Sequence, residues 1–182
     1  MNKAHFAVTV ISKDRPGIVA DTAEVLFRLG CNVDDSSCTM LGGDFAMILM
    51  VSHAKPFTKV RLVEEFRKLH DEKGLTAHIR AVGDDELGHP APSGELCLIS
   101  VYGADRPGIV FRVTRELADR QINITDLNTR LIGTEDEPVY VMMLEAYLPA
   151  GVSIEAADRL LAGLRTELDV EIGVRAITPV AL

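Results

Sequence analysis

Two short stretches hold the residues of this chain best suited to binding chemistry. Asp14-Arg15-Pro16-Gly17-Ile18-Val19 returns as Asp105-Arg106-Pro107-Gly108-Ile109-Val110. In each, a carboxylate precedes a Pro-Gly step where an apolar run gives way to an amphipathic one. The first backbone N–H groups of a helix have no partner within it, and with the helix dipole they favour a carboxylate or phosphate. Gly17 and Gly108 carry no Cβ, so a ligand can approach the main chain closely. Asp14 and Asp105 can accept charge-assisted hydrogen bonds from an ammonium group. Anion-binding backbone beside a carboxylate suits a zwitterion, that is, a free amino acid. The same residues also describe a plain helix entry, with Asp capping and Pro16 or Pro107 at the first helical position. Both readings stand on the residues alone. A nucleotide phosphate is the weaker choice, because neither common glycine-rich phosphate motif is present.

Other residue types offer less chemistry. His5, His53, His70, His78 and His89 are scattered, with no spacing that makes a zinc site or a catalytic triad. Cys31, Cys38 and Cys97 are odd in number and form no CxxC or Cys/His cluster, so they read as small buried hydrophobes. Met47, Met50, Met142 and Met143 fall on strand positions and read as core filling. No cofactor or metal is implied, and nothing supplies a nucleophile with its base, so the chain reads as non-catalytic.

The elements that must position the two turns follow from the apolar pattern. Residues 6–11 form a short β-rich run, and Ile18, Val19, Ala23, Leu26 and Phe27 then recur at helical spacing until Gly30. Residues 32–41 and 45–52 read as strands joined by a hairpin at Gly42-Gly43. A helix is predicted over residues 58–72, with Leu62, Val63, Phe66 and Leu69 inward, then a strand over 76–82. The second half repeats the order: a strand at 96–102, a helix at 107–119, strands at 122–132 and 139–148, a helix at 154–168 and a strand at 170–177. The order β-α-β-β-α-β is the ferredoxin-like one, an α+β arrangement with both helices on one face of an antiparallel sheet. A repeat this long is a duplicated domain rather than a solenoid unit. Residues 1–82 and 94–182 are the predicted domains, and Pro, Gly, Ser and an acidic run mark 83–93 as a linker.

Charge narrows the partners. The 182 residues include 27 acidic and 19 basic side chains, a formal net charge of −8. Such a surface repels nucleic acid, and no basic stripe offsets it, so direct DNA or RNA binding is not expected. No apolar run approaches the ~20 residues that cross a bilayer, and no signal-peptide core is evident. The chain reads as cytoplasmic, with no membrane partner.

An Asp-Arg-Pro-Gly-Ile turn between the first strand and first helix, followed by Asn32-Val33 or Asn123-Ile124 opening the second strand, resembles the ACT domain. ACT domains are ferredoxin-like regulatory modules, many of which bind amino acids. The resemblance covers nearly the whole chain as two tandem copies. Through Gly30-Cys31-Asn32-Val33 and Tyr147-Leu148-Pro149-Ala150-Gly151, it is similar to the glycine cleavage system transcriptional repressor group. The resemblance implies that the turn of one domain faces the second strand of a partner domain across a side-by-side sheet. That sets Ser12, Asp14, Pro16, Gly17 and Ile18 opposite Asn123, and Gly103, Asp105, Pro107, Gly108 and Ile109 opposite Asn32. Many family members carry Asn where Asp14 and Asp105 stand, and the added charge favours an ammonium contact over a carboxylate one. The implied function is a sensor of a small amino acid, glycine first, read by a protein partner such as a DNA-binding transcription regulator. A ligand-free interaction module and a regulatory subunit of an amino-acid enzyme are the alternatives, and a homodimer is compatible with all three.

Overall fold

The computed structural model describes residues 3–55, 57–87, 94–134 and 138–178. The chain divides into two compact units, each carrying one copy of the repeat. In the first, β1 (Ala4–Lys13), α1 (Ile18–Arg28), β2 (Cys31–Leu41), β3 (Asp44–His53), α2 (Lys59–Lys73) and β4 (Thr76–Val82) follow in order. The second runs β5 (Glu95–Gly103), α3 (Ile109–Asp119), β6 (Asn123–Gly133), β7 (Pro138–Leu148), α4 (Ile154–Leu168) and β8 (Val170–Ala176). The sheets have the orders β2-β3-β1-β4 and β6-β7-β5-β8, antiparallel throughout. This is the ferredoxin-like order predicted from the sequence.

Alternation along the central strands places the core. Phe6, Val8 and Val10 of β1 and Phe45, Met47, Leu49 and Val51 of β3 face the helices, where Leu62, Phe66 and Leu69 of α2 meet them. In the second unit, Cys97, Ile99, Val101, Met142, Leu144 and Ala146 do the same beneath α3 and α4. Gly42 and Gly43 both have positive φ (60° and 81°), the backbone a two-residue hairpin turn demands. Both second strands carry a bulge at the same place, between Val33 and Asp35 and between Ile124 and Asp126.

Several expectations need correction. The helices begin at Ile18 and Ile109, not at Pro16 and Pro107, because Gly17 and Gly108 intervene in the left-handed conformation (φ 94° and 102°). The buried residues of α1 are Ile18, Thr22, Val25 and Leu26, while Val19 is half exposed, Ala23 is exposed and Phe27 stands 81% exposed, so these three do not join the apolar face. Val63 of α2 is likewise exposed. Only Cys97 is a fully buried cysteine; Cys31 is half-buried and Cys38 exposed, both on the edge strand β2, which is exposed along nearly its whole length. Met47 and Met142 are buried, whereas Met50 and Met143 lie half-buried on the helix-free face of their sheets. His89 and residues 88–93 of the predicted linker lie outside the described residues.

Candidate functional site

In the first unit, the turn is tied down by groups that leave its helix entry open. The Asp14 N–H donates to the Gly43 carbonyl (3.0 Å), which pins the end of β1 to the hairpin. Arg15 folds back, donating from Nη1 to the Pro16 carbonyl (3.1 Å) and from Nη2 to Asp21 (2.8 Å). Lys73, at the end of α2, reaches the other oxygen of Asp21 (2.6 Å). Asp21 is thus clamped by two cations, chiefly Lys73 and then Arg15, and its carboxyl is held below the ordinary value of 3.8. No side chain caps α1, so the capping reading of Asp14 does not apply. A groove of about 490 Å³ opens here, lined by Asp14, Arg15, Gly17, Ile18, Val19, Ala20, Ala23, Met40 and Phe45.

The structure therefore brings Asp14, Gly17 and Ile18 together, with Pro16 in the same exposed turn. Ile18 is 2% exposed, so most of its side chain serves the core. Ser12 is buried below the turn, its hydroxyl donating to the Lys13 carbonyl (2.9 Å). Asn32 lies at the opposite end of its sheet, in the row Asn32–Ser52–His5, whereas Ser12 shares its row with Phe45. Within one unit the turn and the asparagine are thus far apart.

The second unit repeats the backbone with different surroundings. Again no side chain caps the helix, and Gly108 has no neighbour within 4 Å of where a Cβ would stand. Arg106 is tied to Asp169 (2.9 Å) at the end of α4, much as Arg15 is tied through Asp21 to the end of α2. Gly103 is a packing glycine, since a Cβ would fall 2.8 Å from Val170 Cγ1 and 3.0 Å from the Asp169 carbonyl. It lines a separate groove of about 410 Å³ with Tyr102, Val139, Arg165, Asp169, Val170 and Glu171. Burial pushes the Tyr140 phenol up, opposed by its hydrogen bond to Thr129 and reinforced by the charge of Asp105. Ile109 is buried at 1%, Pro107 is exposed, and Asn123 stands exposed at the start of β6 opposite Tyr147. Sequence reasoning missed Arg15, Asp21 and Lys73; their partnership joins residues from two helices and a turn, which no local spacing reveals. Among the described residues no helix is long and apolar enough to cross a membrane, and no three metal-ligating side chains cluster.

Known protein families match both units. ACT-domain family models match residues 4–80 and residues 98–146. The chain belongs to the ACT family, as two ACT domains in tandem. Along most of its length it is similar to the glycine cleavage system transcriptional repressor of Escherichia coli, 26% identical over 170 residues that cover 92% of this chain and 87% of that one. A crystal structure of a Galdieria sulphuraria protein matches with a TM-score of 0.79 at 26% identity, covering 97% of this chain and all of that one (100%). A shorter relative, a UPF0237 protein of Methanopyrus kandleri, is 42% identical over 69 residues, 37% of this chain and 77% of its own length.

Proposed function

We propose that this chain is a non-catalytic regulator that senses a small amino acid at the turns ending β1 and β5 and relays the ligand state to a protein partner. The observation that carries the reading is the uncapped entry to α1, open to a groove that also holds Asp14 and Gly17. Main-chain donors there suit the carboxylate of an amino acid, and Asp14 suits its ammonium group. Asn32 and Asn123 are further candidates for head-group contacts, because an amide can both donate and accept. Glycine is the first candidate, because the relative that spans the chain is named for the glycine cleavage system. The relative is also named for repression rather than catalysis, which supports a regulatory role. With a net charge of −8, control of transcription would pass through a DNA-binding partner rather than through direct DNA contact.

A thermal-shift screen against the standard amino acids tests this. A ligand at about a hundred times its Kd adds roughly 2.7 kcal/mol when it binds only the folded state. Selective stabilisation that is lost in Asp14→Ala or Asp105→Ala is the expected result; no shift with any amino acid contradicts the reading.

A second reading is a protein-interaction module, and one observation favours it. β2 and β6 are eleven-residue edge strands exposed along nearly their whole length. Such unprotected edges are templates for pairing with another strand.

A further inference from the structure

Asn32 sits in a polar cluster that the second copy lacks. Asp34 falls at the bulge between Val33 and Asp35, where its carboxylate leaves the regular row. One oxygen accepts hydrogen bonds from Asn32 Nδ2 (2.7 Å) and Ser52 Oγ (2.9 Å), and the other lies 3.9 Å from His5 Nδ1. Ser52 is 5% exposed and the His5 side chain 17%, so the carboxylate rests against a nearly buried hydroxyl and a mostly buried ring.

This contact fixes the polarity of the amide. An ionised carboxylate only accepts hydrogen bonds. Asn32 must therefore turn its NH2 toward Asp34, which leaves its carbonyl oxygen directed away. An unrestrained asparagine on an edge strand exchanges its two ends by rotation about χ2, whose preference is broad. In the second copy Asn123 keeps its place in the row, but Thr125, Tyr147 and Leu96 stand where the first has Asp34, Ser52 and His5. The Thr125 hydroxyl is turned to the Glu145 carbonyl (3.3 Å). No carboxylate holds Asn123 in the same way among the described residues.

We infer that Asp34 is a positioning residue that sets Asn32 with its carbonyl oxygen outward, as an acceptor for the ammonium group of an amino acid. The inference rests on the sensing role proposed above and deepens it. It makes the two copies unequal, because among the described residues Asn32 is held in this way and its counterpart Asn123 is not.

A double-mutant cycle on the full chain tests this, with glycine titrated calorimetrically and the other standard amino acids screened in parallel. Asn32→Ala should weaken binding by about tenfold, the factor that losing a hydrogen bond to a charged group carries; Asp34→Ala should weaken it by about two- to threefold, because a freed amide still presents its oxygen roughly half of the time. The double variant should bind no more weakly than Asn32→Ala alone, because Asp34 acts through that amide. Asp34→Glu keeps a carboxylate that can only accept from Asn32 Nδ2 and should retain more of the affinity than Asp34→Ala. A structural role is separated by the Asn32 side-chain amide signals in 1H–15N spectra, which should shift in Asp34→Ala and return toward the wild-type position in Asp34→Glu. If Asp34→Ala does not fold, Asp34→Thr, the residue of the second copy, replaces it. Unchanged affinity in Asp34→Ala, or losses that add in the double variant, overturn the positioning role alone. A wild-type chain that binds no amino acid overturns the sensing role, and this inference falls with it.

Discussion

Thr22 shows at the scale of one residue how the two copies inform each other. Its hydroxyl is buried, and it has no hydrogen-bond partner among the described residues. Counting from the helix starts at Ile18 and Ile109, the same place in α3 is Val113, also fully buried. A buried hydroxyl left unpaired costs about 1–3 kcal/mol, so Thr22→Val should raise the stability of the first unit by about 1–2 kcal/mol. Urea unfolding should show a higher midpoint with an unchanged slope; a lower midpoint would mean that the hydroxyl is bonded in solution. This position was illegible in the sequence. The apolar spacing there points to Ile18, Val19, Ala23, Leu26 and Phe27; the structure buries Ile18 and Leu26 but turns the polar Thr22 inward and Phe27 out. Gly17 was legible, but as a residue letting a ligand approach. Its φ of 94° adds a second reason, since an L side chain rarely adopts it.

At the scale of elements, Asp21 is the joint between the candidate turn and the two helices. It receives Arg15 from the turn and Lys73 from the end of α2. Both cations favour its ionised form, so its pKa is lower in the folded chain than in the unfolded one. A depressed carboxyl contributes stability that is present above its unfolded value and lost as pH falls through the folded one. Wild type should therefore be more stable than Asp21→Asn at neutral pH, with the difference shrinking as acid titrates the carboxylate below the ordinary 3.8. Denaturant midpoints of both proteins from pH 7 to pH 2 check this; a gap independent of pH would contradict it. The elements joined here were largely legible, because strand alternation, helical spacing and the Gly42-Gly43 turn all point one way. Helix ends were less so. Gly30 marks one by its residue type, but the equivalent left-handed position in the second copy is Gln121 (φ 57°), which carries no such signal.

For the whole molecule, the duplication has produced two ACT units with the same topology and different chemistry around their turns. The first opens a groove at Asp14, and the second packs Gly103 against Val170 and sets Asp105 near Tyr140. Sequence alone showed the repeat, the turn and the change from Ser12 to Gly103, but not the groove or the approach of Asp105 to Tyr140, which arise from residues distant along the chain. Both units expose a long edge strand, with Val33 and Leu41 on β2 at 40% and 80% exposure. Charged side chains on an edge discourage pairing. If β2 pairs with another strand in solution, Val33→Lys with Leu41→Lys should lower the sedimentation-derived mass without lowering the melting temperature. A mass equal to one chain for wild type at all concentrations would argue against self-pairing through β2.

The central claim is amino-acid binding at an uncapped turn, and calorimetric titration of the full chain with glycine tests it most directly. The account predicts saturable binding that is weakened by Asp14→Ala or Asp105→Ala while both variants keep their thermal melts. Flat titrations with glycine and every other standard amino acid, from a folded protein, would contradict it and leave the exposed edge strands as the functional surface.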